Sequence, residues 1–375
     1  MITFYEMKNI KKNNGLISNR RYVLINLLIR KEKNFLLIIA VSFLLSGIFY
    51  PYPAIAMWIG FALAAYSAVA NDSIQTIGTF ISSNGDKKWW LLWLYIGSIF
   101  LITVTISWVI NDGDVTYQRL ASKGFSEAPA SFNFLQIAAP IFLLIITRLR
   151  MPVSTTFLLL SSFTTATGSI LKVFEKSVIG YLIAFALAFL IWITLNKLMK
   201  GVFKGKAHVG WTVFQWVTSG FLWALWIMQD AANIAVFLPR SLSIGEFIAF
   251  GSTIFFGLGL IFFLKGDKIQ QVIDEKSDVK DVRPATIIDL VYALILIWFT
   301  WVNTIPMSTT WVFIGLLGGR ELGIRIRNKD KLKKTYRLIL KDLSYVLIGL
   351  LISILVAIAA NETLREELLQ TLNAN

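Results

Sequence analysis

The chain has 375 residues, 56% of them hydrophobic and 15% charged, with 36 Lys and Arg against 22 Asp and Glu for a formal net charge of +14. Soluble domains carry about 25% charged residues, and the mean hydropathy here is +0.66, so a soluble enzyme is excluded and one membrane domain is expected. No cysteine is present, which removes disulfides, thiol catalysis and cysteine metal sites.

Residues 1–33 form a basic head, read as cytoplasmic. The other concentration of positive charge is "RELGIRIRNKDKLKKTYRLILK" (Arg320–Lys341). Both flank apolar runs, as cytoplasmic loops do under the positive-inside rule. The expected partner is therefore the lipid bilayer and not nucleic acid. Eleven apolar segments follow in order: Phe35–Tyr50, Pro53–Ser83, Trp89–Ile110, Phe132–Ile146, Pro152–Leu171, Val178–Leu198, Trp211–Pro239, Phe247–Leu264, Ile287–Asn303, Pro306–Gly319 and Ser344–Ala360. All are expected to be helical, because an open strand edge cannot be satisfied in lipid.

Pro53–Ser83 is about 45 Å long as a straight helix, which requires a tilt or a break. Its polar residues lie mid-segment in "VANDSIQTIGT": Asn71, Asp72, Gln75 and Thr76. Trp211–Pro239 repeats the design with "IMQDAANIA", which holds Gln229, Asp230 and Asn233. An acid at the bilayer centre costs about 3 kcal/mol on insertion scales, and these two are read as the only acids that deep. "PVSTTF" supplies Ser154, Thr155 and Thr156, and "PMSTTW" supplies Ser308, Thr309 and Thr310. Pro152 and Pro306 suit first helical positions, where a missing N–H has no helical partner.

Asp72 and Asp230 are 158 positions apart, and Ser154 and Ser308 are 154 apart. The order between acid and hydroxyl cluster is the same in both halves, which indicates an internal duplication. With the basic head inside, the loop Asn111–Ala130 falls outside, Lys200, Lys204 and Lys206 fall inside, and "NETLREELL" (Asn361–Leu369) falls outside. Each copy then holds five crossings, so the second is inverted with respect to the first, as in many secondary transporters. The count treats the Ser-Thr-Thr segments as crossings; Pro306–Gly319 is short enough to re-enter instead. The expected fold class is an all-α polytopic membrane protein of about 11 transmembrane segments in two inverted-topology repeats with broken or re-entrant helices. The boundaries are 1–33 for the head, 34–52 for an extra helix, 53–200 for the first repeat, 201–361 for the second and 362–375 for the tail. Compact loops without a large hydrophilic insert fit a multi-pass inner-membrane protein with a cytoplasmic N-terminus and an outside C-terminus.

The bland reading of a buried Asp is a bond to a neighbouring helix, and of a Ser-Thr pair a bond to its own previous turn. The matched pairs favour a site. Carboxylate and amide oxygens replace the hydration of a cation or proton, and a helix start within the membrane offers N–H donors and a positive dipole end to an anion.

These residues resemble the inorganic phosphate transporter family, whose paired signatures read Gly-Ala-Asn-Asp-Val-Ala-Asn and Pro-Ile/Val-Ser-Thr-Thr-His. The resemblance covers roughly Pro53 to Ala360. It implies a phosphate transporter working by alternating access and coupled to Na⁺ or H⁺, with no other cofactor and no enzymatic activity. It assigns Asp72 and Asp230 to the cation and substrate site. Asn71, Gln75, Gln229 and Asn233 become amide ligands, and the hydroxyls of both clusters hold the anion. Related transporters imply a homodimer. Gln75 and Gln229 stand where the family has Asn, and Phe157 and Trp311 stand where it has His, which leaves sulfate or another oxyanion open. A passive anion channel is the remaining alternative. The one histidine, His208, is expected to be functionally neutral.

Overall fold

The computed structural model describes residues 30, 32–122, 125–149, 151–164, 167–202, 205–264, 281–301, 308–329 and 332–373. The basic head before Arg30 and Pro306 lie outside the described residues. The chain divides into two units, 1–45 and 46–375. Helix α1 (Lys33–Phe49) is apolar and 17 residues long, about 25 Å.

The regular secondary structure among the described residues is all helical, with no strand. The second unit comprises α2 (Pro53–Ser83), α3 (Trp89–Ile110), the single turn α4 (Arg119–Ser122), α5 (Phe134–Arg148), the short α6 (Thr155–Leu158) with a 3-10 turn at Leu160–Ser162, and α7 (Thr167–Val202). There follow α8 (Val209–Ala235), α9 (Ile244–Phe263), α10 (Val282–Trp301), α11 (Thr309–Asn328), α12 (Lys333–Ala360) and α13 (Glu362–Asn373). Among the described residues, six spans are long and apolar enough to cross a membrane: Pro53–Asp72, Trp89–Ile110, Ile170–Leu195, Ile244–Phe263, Val282–Phe299 and Thr335–Ala360. The protein is a multi-pass membrane protein.

Three sequence readings need correction. The acid-bearing segments do not break: α2 and α8 run for 31 and 27 residues without interruption. Their polar groups are side-chain groups, most of them bonded to side chains and carbonyls nearby, so they do not draw the backbone out of the helix. The chain leaves the helix between Arg148 and Thr155, at the boundary expected between the fourth and fifth segments, but Pro152–Leu171 is not one helix: a single turn at Thr155–Leu158 and a 3-10 turn at Leu160–Ser162 precede α7, which begins at Thr167. Proline disfavours helix in the residue before it, and Pro152 stands two residues ahead of the capping Ser154 instead of inside the first turn. The third correction concerns Arg320–Lys341. It is no loop: α11 continues through Arg320 to Asn328, and α12 begins at Lys333.

The break makes a hairpin of α5 and the segment after it. Asn133 caps α5, with its side chain accepting from Gln136 N, and donates to the carbonyl of Ala360 at the end of α12. Past the break, Ser162 O accepts Gln136 Nε2 at 3.2 Å, and Thr164 O accepts the amide of Asn361. The two arms therefore return to one level, with Val153 at the turn.

Two sets of helices follow one another along the chain, α2, α3, α5, α6 and α7, then α8, α9, α10, α11 and α12. Each set places its Ser-Thr-Thr element against the closing helix of the other, α6 on α12 and α11 on α7. The second contact is very close. Gly315, Gly319 and Gly323 share one face of α11, and an added Cβ at each would meet the carbonyl oxygens of Tyr181, Phe185 and Phe189 in turn. Small residues at four-residue spacing allow this backbone approach in membranes. It anchors the helix whose first turn enters the site.

Candidate functional site

Helices α2 and α8 deliver the two acids, Asp72 and Asp230, which are 1% and 3% exposed. Asp72 Oδ2 accepts the Thr155 hydroxyl at 2.5 Å, while Oδ1 accepts Asn71 Nδ2 at 2.7 Å and Gln75 Nε2 at 3.3 Å. Asp230 is built alike: Oδ2 accepts the Thr309 hydroxyl at 2.7 Å and Oδ1 accepts Asn233 Nδ2 at 2.7 Å. Each acid thus grips the threonine that follows the capping serine of its own set.

Ties then cross between the sets. Asn233 Nδ2 lies 3.1 Å from Thr155 Oγ1 and 3.0 Å from Thr156 Oγ1. The chain break frees the Val153 carbonyl, which accepts Asn71 Nδ2 at 2.6 Å and the Thr310 hydroxyl at 3.3 Å. Asn71 Oδ1 accepts the Thr147 hydroxyl at 3.3 Å. The acids are near enough for the charge of Asp230 to act on Asp72. Two carboxylates in an apolar interior repel and cannot both stay charged cheaply, so the pair favours a bound cation or proton. Asn233 Oδ1 is buried and has no hydrogen-bond partner among the described residues. An orphaned buried acceptor beside two carboxylates suits a hard cation, which takes oxygen ligands.

The sequence candidates fall into three groups. Asn71, Asp72, Gln75, Thr155, Asp230, Asn233 and Thr309 are bonded into one cluster, with Thr156 and Thr310 tied to it. Thr76 donates to Asp72 O at 3.3 Å and Gln229 to Leu296 O on α10 at 3.3 Å, bonds that fix the helices. Ser154 and Ser308 act as N-caps, their hydroxyl oxygens accepting from Phe157 N at 3.3 Å and Trp311 N at 3.4 Å. Ser308 N in turn donates to Ser177 Oγ at 2.9 Å. Loss of such a cap costs about 1 kcal/mol. Ser308→Ala is therefore expected to lower the melting temperature by a few degrees, as read by a thermal unfolding scan in detergent.

No protein-family model matches the chain. No curated protein matches it either. Among solved structures, "the sodium-dependent phosphate transporter" is similar at a TM-score of 0.54 and 19% identity, over 84% of this chain and 99% of its own. The two share a fold.

Within that fold the sequence reading missed two residues, both on α10. Tyr292 is fully enclosed, donates its hydroxyl to Thr309 O at 2.9 Å, and lies within electrostatic range of both central acids. Asp289 is 0% exposed, with the Thr79 and Ser219 hydroxyls each 2.5 Å from one carboxylate oxygen. Asp289 is a third deep acid. The sequence places Asp289 near a segment end, with the apolar run starting at Ile287; the helix begins at Val282, and about two turns separate Asp289 from that start. The two positions that hold His in the resembled family hold Phe157 and Trp311, both buried, with ring centroids 6.3 Å apart. They form an apolar contact between α6 and α11 where two imidazoles would titrate.

Proposed function

We propose that this chain is a secondary transporter of inorganic phosphate, a divergent member of the inorganic phosphate transporter family, working by alternating access and driven by Na⁺ or H⁺. One observation carries the reading: Asn233 of one helix set bonds Thr155 and Thr156 of the other, directly between two buried carboxylates. A pocket shared by two sets can open to either side when one set rocks against the other, while its ligands stay together. The matched order of the two sets supports an inverted repeat. The fold shared with a sodium-dependent phosphate transporter supports the substrate class.

In this reading the coupling cation takes Asp72, Asp230 and Asn233 Oδ1, with the Thr155 and Thr309 hydroxyls as neutral ligands. The anion sits at the first turn of α11, where the N–H groups of Thr309 and Thr310 have no partner within the helix and the dipole end is positive. The cation's charge offsets that of the anion, so each binds better with the other present.

Phosphate and sulfate have nearly the same shape. The Phe157–Trp311 contact removes two titratable groups from the motif ends, which favours sulfate as the second reading. Initial rates of radiolabelled phosphate and sulfate uptake into proteoliposomes, with a Na⁺ gradient, a pH gradient or neither, decide the matter. Uptake of phosphate driven by one gradient is expected. Gradient-independent unitary currents in a planar bilayer would make the protein a channel, and uptake of neither anion would remove the proposal.

A further inference from the structure

The connections on either side of α4 and the connection between α8 and α9 form one cross-bonded cap at the C-terminal end of α8. Asp112, Gly113, Tyr117 and Gln118 all have positive φ, at 49°, 97°, 54° and 58°. Three non-glycine residues held there cost about 1 kcal/mol or more each, and such strain persists only where surrounding bonds impose it. They do. Asp114 accepts from Thr116 N, the Thr116 hydroxyl and Gln118 N at 2.6–2.7 Å. Tyr117 N donates to Ser107 Oγ at 2.9 Å.

The cap is bolted to the α8–α9 connection. Leu242 N donates to Gly113 O at 2.9 Å and Ser241 Oγ to Asp112 O at 2.6 Å. The guanidinium of Arg240 donates to Phe125 O, Glu127 O and Leu238 O at 2.6–2.8 Å. Immediately after the two strained residues comes α4, which packs against α8. Leu120 fixes the turn at 2% exposure, and the charge of Arg119 on that turn lies within electrostatic range of Asp230. Asp230 lies five residues before the end of α8, about 7.5 Å below the cap.

We propose that Arg119 is the oxyanion-recognising residue of this mouth of the pocket, receiving the anion above Asp230 and passing it to the first turn of α11. The inference rests on the phosphate-transport reading above. Its logic is electrostatic. The pocket cluster contains two acids, amides and hydroxyls but no basic side chain, and an anion approaching two carboxylates meets repulsion. A guanidinium held at the rim by a strained, cross-bonded cap reverses the sign of that approach, and its planar fork matches two oxygens of a tetrahedral anion. Burial lowers the Arg119 pKa from its ordinary value, and the charge of Asp230 opposes that shift; a guanidinium remains charged at neutral pH. A cation on the Asp230 carboxylate neutralises the charge within range of Arg119, so the anion binds better after the cation.

The test compares wild type, Arg119→Gln and Arg119→Lys in proteoliposomes. It reads the concentration dependence of radiolabelled phosphate and sulfate uptake, together with the thermal shift produced by Na⁺ alone. Arg119→Gln is expected to raise KM for the transported anion about tenfold or more, the size of a charge-assisted bond lost. Arg119→Lys should recover part of this, and both variants should keep the Na⁺-induced shift. A KM within about twofold of wild type in Arg119→Gln overturns the proposal. So does an equal loss in both variants accompanied by a lowered melting temperature, which would make Arg119 a packing residue of the cap. If wild type itself transports neither anion, the failure lies in the underlying transport reading.

Discussion

Asp72→Asn and Asp230→Asn are each expected to cut gradient-driven uptake by about 100-fold or more while leaving the protein folded and inserted. The amide keeps the shape of the carboxylate and one acceptor oxygen, so the Thr155 or Thr309 contact survives with its donor direction reversed. The negative charge is lost. A bond between a charged group and its partner contributes about 1.5–3 kcal/mol, and a cation loses at least one such contact, with every 1.4 kcal/mol worth tenfold in affinity. Removing one of two buried like charges also relieves repulsion, so neither variant should melt below wild type. Three measurements decide: initial uptake rate, the Na⁺-induced thermal shift and the melting temperature. Normal uptake in both variants would take the acids out of the site. A collapse of the melting temperature would reduce them to structural tethers.

These acids were legible in the sequence because polarity inside a long apolar run is costly, and a cost borne twice at matched positions has a reason. The hydroxyl clusters were legible on the same ground. What the sequence hid was the division of labour within them. Serine and threonine carry the same hydroxyl, and only the cap geometry shows that Ser154 and Ser308 close first turns while Thr155 and Thr309 reach the acids. Length left a tilt or a break open for the 31 residues of α2, which stays one helix; what the pattern did not show is that the segment opened by Pro152 holds only one helical turn before α7. Asp289 was hidden by a boundary error of five residues. Arg119 lies in a polar connection whose sequence carries no periodicity, so its placement over α8 depends on long-range bonds such as Arg240 to Phe125 O, which no local pattern encodes.

The seam between α7 and α11 is where a single methyl group should do the most structural harm. A Cβ at Gly319 would fall on the Phe185 carbonyl oxygen, with the carbonyl carbon at 2.8 Å and Cα at 3.0 Å. These are backbone atoms of a helix and cannot rotate away, so α7 and α11 must separate. Overpacking of this kind costs about 1–3 kcal/mol and occasionally more. Separation also loosens the close carbonyl contacts along Gly315 and Gly323, which lie on the same face. Gly257, on α9, is the control, because an added Cβ there meets nothing within 4 Å. Gly257→Ala should be neutral or stabilise by up to about 1 kcal/mol, since glycine is a poor helix former. Gly319→Ala is therefore expected to lower the melting temperature in detergent sharply while Gly257→Ala does not. Because α11 is capped by Ser308 and begins with Thr309 and Thr310, the same shift should raise KM for the anion in whatever protein survives. Equal melting temperatures for the two variants would mean that α7 and α11 do not approach as closely as their glycine face allows.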